Sequence, residues 1–390
     1  MKLKGFFRVA MMAIVVFAAI ATACTQTDEC VDYKTIELSL KSKYFDFERK
    51  VVIGLPPEYD AMTAQDYDVM YVFDAQDRSY FDLVRGMPVF VNMPYECKFI
   101  VVGIYSPVNE NYSRQDDFLK IKYPNGHGGF HSALSRFIRD ELMPYISENY
   151  RVTDRSIAVG HSLGGSFALD ALLDYELFTD YITVSPNMHL VNGELSNELV
   201  GFDYNALKTK HFIFASDANE ELIPNWSGWK PSREKVYEFF EAQKPENVMF
   251  NHKSYPDYNH MTTFPIALYD GMAQYFAYRD SVDQIPTEKE HKVKITLVSN
   301  RAVDDVYVAG NQDALNNWDA EGVKMQRVSD TEFSIELTLK LPAQFKFTRG
   351  DWEKEAFIKN YSFFGGNLLI DTDRRTSYTY EVSGWSDDAR

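Results

Sequence analysis

The sequence predicts an α/β domain with a mostly parallel sheet, followed by an all-β sandwich domain. Across residues 34–280, short apolar runs alternate with stretches of helical period, as in domains whose parallel strands are connected by helices. Across residues 293–390, short strand-like runs are separated by Gly, Asn, Asp and Pro without a recurring helical period, which is typical of a β-sandwich. Between the two domains, residues 281–292 lose the apolar period and are predicted to be a linker.

Apolar periods and turn residues predict where the individual elements lie. In the first domain we predict a hairpin at 35–55 and a helix at 130–150, in which Pro144 marks a kink. Short apolar runs predict the other strands of this domain at 68–74, 99–104, 157–159, 181–185, 211–215 and 248–255. Further helices are predicted after residue 162, at 232–243 and from 263 onwards. The strands of the second domain are predicted at 293–298, 306–309, 333–341, 345–348 and 378–382. Because the central strands are apolar throughout, we expect helices on both faces of the sheet.

Length, charge and cysteine content limit the classes of function. The chain has 390 residues, enough for two domains with separate cores, and its formal net charge of -17 comes from 40 Lys and Arg against 57 Asp and Glu. Such a surface repels phosphate backbones, which excludes nucleic acid as an expected partner. No His/Cys cluster has the spacing of zinc ligands, so we predict neither a metal nor another cofactor. Cys30 and Cys97 could pair in an oxidising compartment, although two unrelated thiols fit the sequence equally well.

The first 33 residues are predicted to be a targeting segment and a tether. Basic residues precede an apolar run at 9–23 that is too short to span a bilayer comfortably, as in an export signal. The run ends in small residues before Cys24, and this end resembles bacterial lipoprotein signals, in which that cysteine carries the lipid. We predict a signal peptide at 1–23 and a tether at 24–33, with ordinary cleavage as the alternative. The resemblance implies a periplasmic, outer-membrane or cell-surface lipoprotein that meets the membrane only through its lipid anchor.

Ser162 lies at the centre of the most informative stretch of the first domain. A buried strand is predicted directly before it and an amphipathic helix directly after it, so Ser162 falls at a strand-to-helix turn. Gly160 and Gly164 complete a Gly-x-Ser-x-Gly pattern, and a turn this sharp requires small residues at those positions. The context favours a nucleophilic serine. The alternative is that the glycines only permit close contact between helix and strand.

A nucleophilic serine needs a base to take its proton and a third group to orient that base. In α/β hydrolases the order along the chain is serine, acid, histidine, each after a strand. His260 lies in a polar loop after the last predicted strand of the first domain, whereas His252 falls inside that strand, so we predict His260 as the base. A helix-capping or exposed loop histidine is the alternative. We expect His161, next to the serine, to line the pocket.

The acid and the oxyanion donors are predicted from their positions after strands. The loop after the strand at 211–215 offers several carboxylates, of which we predict Asp217 as the catalytic acid and Glu220 as the alternative. A solvated acidic loop with a Ser-His pair alone is also compatible with the sequence. For the oxyanion, the backbone N–H of Leu163 is predicted as one donor, and the loop around Ala75 and Gln76 is predicted to supply the other, with Gln76 as the donor residue.

Several motifs together resemble the putative esterase family. They cover about residues 34–280 and are Val-Val-Ile-Gly-Leu-Pro-Pro-Glu-Tyr at 51–59, Tyr-Val-Phe-Asp-Ala at 71–75, Ser-Arg-Gln-Asp-Asp-Phe at 113–118, Leu-Met-Pro-Tyr-Ile at 142–146 and the serine pattern itself. The family contains enterochelin, feruloyl and acetyl esterases and S-formylglutathione hydrolase, all α/β hydrolases. The resemblance implies hydrolysis of carboxylic esters through an acyl-enzyme, with Ser162 and His260 in matching positions. The family commonly has Asp-Gly where this chain has Asp74-Ala75.

The second domain resembles starch-binding modules in two segments, at 306–319 and 345–353. Their sugar site combines an indole ring, on which the apolar face of a pyranose stacks, with polar groups that bind its hydroxyls. On this resemblance Trp318, Lys346 and Trp352 are the predicted carbohydrate-binding residues. The alternative is a structural appendage with Trp318 in its core.

Three hypotheses of function follow. The first is an exported, lipid-anchored serine esterase whose substrate is an ester of a carbohydrate and whose sandwich domain holds it near a polysaccharide. The second keeps the chemistry but takes a siderophore of the enterochelin type, or another small ester, as substrate. The third is a non-enzymatic glycan-binding protein of the cell surface.

Overall fold

The computed structural model describes residues 34–91, 99–283, 285–361 and 367–388. Within it, the described residues from Thr35 onwards form one compact unit. The predicted signal peptide, the tether, Cys24 and the pairing of Cys30 with Cys97 lie outside the described residues, so these stay predictions. Among the helices of the described part, none combines the length and the apolar character needed to cross a membrane.

One eight-stranded sheet forms the centre of the first domain. Its strands are β1 Lys34–Leu40, β2 Arg49–Leu55, β3 Tyr67–Val72, β4 Phe99–Ile104, β5 Val152–His161, β6 Asp180–Val184, β7 His211–Asp217 and β8 Val248–Ser254. The order across the sheet is β1-β2-β4-β3-β5-β6-β7-β8. From β4 to β8 all neighbours are parallel, and β2 pairs with β4 in the antiparallel sense. The predicted mostly parallel sheet is confirmed.

Helices cover both faces of this sheet, as the apolar strands predict. They are α1 Arg78–Gly86, α2 Pro88–Val91, α3 Arg114–Phe118, α4 His131–Phe137, α5 Met143–Asn149, α6 Leu163–Tyr175, α7 Leu190–Gly201, α8 Trp229–Gln243 and α9 Thr263–Val282. Alternate residues of β3 enter different cores. Val69 and Tyr71 pack in the core that contains Phe167 of α6, whereas Met70 packs in the core that contains Tyr275 of α9.

The helix predicted at 130–150 is continuous but changes its winding in the middle. A π-helical turn, Ile138–Leu142, separates α4 from α5, and the N–H of Met143 donates to the carbonyl of Ile138. Pro144 follows directly, at the first turn of α5. Because proline has no N–H to donate and its ring displaces the carbonyl four residues earlier, the wider turn accommodates it inside the helix.

The second domain consists of two sheets that share one core, which confirms the predicted all-β sandwich. Its strands are β9 Glu290–Val298, β10 Tyr307–Gly310, β11 Val323–Lys324, β12 Gln326–Arg327, β13 Glu332–Lys340, β14 Ala343–Thr348, β15 Ala356–Ile358, β16 Leu368–Ile370 and β17 Ser377–Trp385. The sheets have the orders β11-β10-β14-β16 and β12-β13-β9-β17-β15. Ile295, Phe345 and Tyr380 are fully buried in the common core.

The sandwich contacts the first domain at the amino ends of the parallel strands. Arg279, near the end of α9, donates to Asp68 of β3 at 2.9 Å and to Asp371 of the sandwich at 2.8 Å. The N–H of Ala64 donates to the carbonyl of Asn360 at 3.1 Å. The serine turn lies at the other end of the sheet, after the carboxyl end of β5. The sandwich therefore adjoins the first domain away from the nucleophile.

Candidate active site

Ser162 occupies a sharp turn between β5 and α6. Its backbone has φ 57° and ψ -121°, a strained conformation for a residue other than glycine. A Cβ atom on Gly160 would lie 2.4 Å from the carbonyl carbon of Gly164, so glycine is required there. The N–H of Ser162 donates to the carbonyl of Val184 on the neighbouring β6 at 3.0 Å. The predicted strand-to-helix turn is therefore confirmed as a backbone geometry.

A cavity of about 860 Å³ opens above this turn. Ser162 and His260 both line it, together with Leu163 and Gln76, the predicted oxyanion donors. The structure thus brings together four residues that are separated by up to 184 positions in the chain. This convergence follows from the parallel topology, because the carboxyl ends of β3, β5 and β8 lie at one edge of the sheet.

Glu220 is the carboxylate that faces His260. Its Oε1 lies 3.4 Å from Nδ1 of His260, and its Oε2 accepts the N–H of Ala218 at 2.8 Å. Burial alone would raise the pKa of Glu220, but the hydrogen bonds from His260 and Ala218 outweigh it and lower this pKa to about 2. Glu220 is therefore an ionised acceptor at neutral pH, as a group that orients an imidazole must be.

The prediction of Asp217 as the acid is corrected by this geometry. Asp217 is the last residue of β7 and its side chain extends to α8, where Arg233 Nε lies 3.2 Å from its Oδ1. It also accepts hydrogen bonds from Ser254 at 2.9 Å and Tyr237 at 3.2 Å. A 3-10 turn, Glu220–Leu222, brings the alternative acid back towards His260 instead.

Two tryptophans pack against His260. Trp226 and Trp229 are stacked on each other with ring centroids 4.3 Å apart and an angle of 5° between planes. Both meet the His260 ring edge to face, with centroids 4.9 Å and 5.3 Å away. These two residues were not predicted from the sequence as part of the site. They are three residues apart where α8 begins, and this spacing would have placed them on one side of a turn.

His161 connects the serine turn to the His260 loop. Its Nε2 lies 2.7 Å from the carbonyl oxygen of His260 and its Nδ1 lies 3.0 Å from the hydroxyl of Tyr80. Because a carbonyl oxygen only accepts, Nε2 carries the proton and Nδ1 accepts from Tyr80. Burial, with the nearby His260 ring as a further cause, lowers the pKa of His161 to about 4, so the ring is neutral at physiological pH. His161 lines the cavity as expected, but the bond to His260 was missed.

The loop after β3 carries Gln76 and is held by an arginine. Asp74 has φ 63° and accepts Nε of Arg114 at 2.7 Å and Nη2 at 2.5 Å. Ala75 is fully buried, and a Cβ on Gly103 of β4 would lie 2.7 Å from the Cβ of Ala75. The methyl group that distinguishes this loop from the Asp-Gly of the family therefore occupies space that a glycine on the adjacent strand leaves open.

The predicted sugar-binding residues also lie together, on the sandwich. Trp318, Lys346 and Trp352 line a shallow depression of about 330 Å³, with Glu355 and Asn367. The two indole centroids are 6.5 Å apart, and Lys346 Nζ lies 2.9 Å from Glu355 Oε1. Trp318 is half-buried at this surface, so the alternative that places it in the core is wrong. Among the described residues, no group of three or more His, Cys, Asp or Glu is arranged to hold a metal ion.

A parallel sheet with a serine turn, a histidine in the same cavity and a carboxylate behind that histidine defines an α/β hydrolase. The chain belongs to the family described as Putative esterase, whose model matches residues 42–319. An IroE-like serine hydrolase from Shewanella oneidensis is 28% identical, with a TM-score of 0.53 over 63% of this chain and 80% of the other. This chain is a carboxylic ester hydrolase, and the hypothesis of a non-enzymatic protein is set aside.

Two further solved structures share the fold. The BES protein from Bacillus cereus is 22% identical, with a TM-score of 0.53 over 64% of this chain and 97% of the other. The siderophore hydrolase EstB from Aspergillus nidulans is 20% identical, with a TM-score of 0.50 over the same shares of 64% and 97%. Among curated proteins, none matches this sequence.

Proposed function

We propose that this esterase removes acyl groups from carbohydrate through an acyl-enzyme on Ser162. The observation that carries the chemistry is the position of Ser162 and His260 in one cavity, with the ionised Glu220 behind His260. The observation that favours carbohydrate is the depression with two indoles and a lysine on the sandwich, a combination suited to a sugar ring and its hydroxyls.

The mechanism assigns one role to each group. Oγ of Ser162 attacks the ester carbonyl carbon while His260 takes the hydroxyl proton. The carbonyl oxygen becomes an oxyanion that accepts the N–H groups of Leu163 and Gln76. The alcohol leaves with the proton from His260, and a water molecule then attacks the acyl-enzyme, with His260 again taking and returning the proton. Glu220 accepts Nδ1–H of His260 and stabilises the imidazolium.

The site of action is proposed to be outside the cytoplasm, at the periplasmic, outer-membrane or cell surface. Support comes from the basic and apolar residues that precede Cys24 in the sequence. A lipid anchor on Cys24 would hold the enzyme at a membrane while the sandwich binds polysaccharide. Metabolic labelling with palmitate should mark the wild-type chain and not the Cys24→Ala variant; an unlabelled wild type would contradict the anchor.

A small ester such as a siderophore is the second candidate substrate. It has the support that siderophore hydrolases from Aspergillus nidulans share the fold at 20% and 19% identity. Turnover of a catecholate trilactone, together with absence of binding to xylan and starch in affinity electrophoresis, would favour this candidate over the carbohydrate ester.

The esterase mechanism is tested with 4-nitrophenyl acetate, butyrate and ferulate esters and a fluorophosphonate probe. We expect the wild type to hydrolyse at least one ester and to be labelled by the probe. The Ser162→Ala variant should lose labelling and on the order of 10⁵-fold in kcat. The Ser377→Ala variant, which changes an exposed serine of β17 on the sandwich, is the matched control and should behave as wild type. A labelled, active Ser162→Ala protein would contradict the mechanism.

A further inference from the structure

A second cavity, of about 1110 Å³, adjoins the active-site cavity. Gln76 and Lys122 line both cavities, so the two share a wall at the predicted oxyanion loop. We call the second one the aromatic cavity, because six rings contribute to its lining: Tyr44, Phe45, Phe47, Tyr105, Tyr112 and Phe130. Because both cavities border Gln76 and Lys122, one extended molecule that passes these residues can occupy both spaces.

Four of the six rings of the aromatic cavity pack against one another and form a connected apolar surface. Phe47 contacts Phe45 and Tyr112 with centroid distances of 5.3 Å and 5.2 Å. Phe130 contacts Phe45 at 6.2 Å and Tyr112 at 5.7 Å. Phe130 nevertheless remains 42% exposed, a large apolar side chain left open beside a cavity. An exposed aromatic surface of this kind marks a binding site more often than a defect of packing.

A buried ion pair lies beneath this surface and contacts two of its rings. Arg49 donates to Asp117 through Nη1 at 2.9 Å and Nη2 at 2.8 Å, and both side chains are fully buried. The guanidinium of Arg49 lies 4.6 Å from the centroid of Phe45, and the hydroxyl of Tyr112 donates to Asp117 at 2.6 Å. Rings fixed in this way lose little further freedom when a ligand binds, which is the condition for a preformed site.

The polar groups of the aromatic cavity suit a neutral ligand with hydroxyl groups. Ser106 lines the cavity, and its Oγ is buried without a hydrogen-bond partner among the described residues. At the edge, two exposed carboxylates, Asp46 and Glu48, are matched by two exposed ammonium groups, Lys50 and Lys122. A third carboxylate of the lining, Asp116, is already bound by His127 at 2.7 Å and by the N–H of Gly128 at 2.8 Å. The four exposed charges balance and do not select an ion, whereas all four groups form hydrogen bonds with hydroxyls.

The oxyanion loop connects the two cavities mechanically. Oε1 of Gln76 accepts the N–H of Ser106 at 2.9 Å, and Nε2 of Gln76 donates to Asp74 at 3.1 Å. The loops after β3 and β4 are thus held together through one side chain. A ligand in the aromatic cavity would contact the same loop that carries a predicted oxyanion donor.

We propose that the aromatic cavity binds the sugar chain from which the acyl group is removed. This inference rests on the proposed function. The ester carbonyl lies at Ser162, and the neutral oligosaccharide that forms the alcohol part extends past Gln76 onto the six rings. The sandwich depression, on another domain, then binds polysaccharide separately from the chain under cleavage.

The test compares two kinds of substrate, aryl esters and acetylated oligosaccharides, in four proteins. The value of kcat/KM is measured with 4-nitrophenyl acetate and ferulate and with acetylated xylohexaose and cellohexaose, for wild type and for the Phe130→Ala, Phe357→Ala and Trp352→Ala variants. Phe357 is a matched control, because it is 45% exposed and lies on the sandwich. We expect Phe130→Ala to lower the ratio of oligosaccharide to aryl-ester kcat/KM by about tenfold, from the loss of one stacked ring. Phe357→Ala should leave that ratio as in wild type, and Trp352→Ala shows whether the sandwich depression binds the sugar chain under cleavage.

The outcomes separate this inference from the proposed function. A wild type inert on every ester would refute the esterase mechanism itself. A wild type active on both substrates, with an unchanged ratio in Phe130→Ala, would overturn only the aromatic cavity as the sugar site. A ratio that falls in Trp352→Ala instead would assign the sugar chain to the sandwich. Selective loss of ferulate ester hydrolysis in Phe130→Ala would assign the cavity to an aromatic acyl group and overturn the sugar assignment.

Discussion

Glu220 and Asp283 are carboxylates at opposite ends of the central sheet, and their pKa shifts have opposite signs. At the carboxyl ends of the strands, hydrogen-bond donors around Glu220 lower its pKa to about 2. At the amino ends, where the sandwich adjoins, burial together with Asp371 raises the pKa of Asp283 to about 6, although Arg279 contacts it. Burial is common to both, so the balance of donors and carboxylates decides the sign.

The amino end of the sheet holds more acids than bases. Arg279 and Arg155 are shared by four carboxylates, which are Asp68, Asp180, Asp283 and Asp371. The two arginines lower the pKa of Asp68 against the effect of its burial, whereas burial raises the pKa of Asp371. At the active site Glu220 shares Arg233 with two other carboxylates, Asp217 and Glu221, but it also accepts the N–H of Ala218 and faces His260. Glu220 is therefore ionised at neutral pH, whereas Asp283 keeps its proton up to about pH 6.

Beyond Ser162, the largest effect on activity is expected when the two acids of the loop after β7 are substituted one at a time. Glu220→Gln should lower kcat by on the order of a thousandfold, because the His260 ring loses the charge that stabilises its protonated form. Asp217→Asn is the matched control, since Asp217 contacts Arg233 and not His260, and should lower kcat by less than about tenfold. Equal, small losses in both variants would leave a Ser-His pair and contradict the role of Glu220.

The second prediction concerns the ion cluster at the amino ends of the parallel strands and its contribution to stability. Arg279→Met should lower the free energy of unfolding by about 3–5 kcal/mol, because it leaves buried carboxylates without their counter-charge. It is measured by urea unfolding at pH 7.5. Arg301→Met removes an exposed pair with Asp388 on the sandwich and should leave the urea midpoint nearly unchanged, because solvent screens this pair. If the two variants unfold alike, the ion cluster does not stabilise the contact between the domains.

His161 offers a test of how the base is positioned. His161→Ala should lower kcat by about 10- to 100-fold, because the carbonyl of His260 loses its donor and the loop is no longer held to the serine turn. His161→Gln, whose amide can donate in the same direction, should recover part of the loss, and the change should fall on kcat more than on KM. Identical activity in the two variants would mean that the ring only fills space.

The smallest effect concerns the pH dependence of stability, which reports the sign of the pKa shifts of Asp283 and Glu220. The raised pKa of Asp283 means that its contribution to stability is present below about pH 4 and is lost as the pH rises through about 6. Asp283→Asn should therefore gain about 1–3 kcal/mol relative to wild type between pH 4 and pH 7.5.

The pKa of Glu220 is shifted in the opposite direction to that of Asp283. Its pKa is lowered, so its contribution is present above about pH 4.5 and is lost as the pH falls towards 2. The stability difference between Glu220→Gln and wild type should change below pH 4.5 and stay constant above it. Urea midpoints measured along the pH series check both variants; a shared pH dependence would contradict the contrast between the two ends.

Much of the fold and part of the site could be predicted from the sequence. The mostly parallel sheet and the sandwich follow from apolar periods, which report local backbone geometry and burial. The turn at Ser162 could be predicted because Gly160 must lack a side chain where two backbone segments meet. The position of His260 could be predicted because parallel strands end at one edge. The π turn before Pro144 could not be predicted, because a helix can accommodate a proline without an N–H either by a kink or by a wider turn, and packing decides between them.

The sequence by itself determined the serine turn, the order of the elements and the loops from which base and acid come, because these depend on local conformation and strand direction. Only the tertiary structure decided which carboxylate faces His260. Asp217 and Glu220 are three residues apart in one loop, and their directions depend on Arg233 and Tyr237, which α8 brings from farther along the chain. The same holds for His161, because its bond to the carbonyl of His260 joins groups 99 residues apart and leaves no trace in any local pattern.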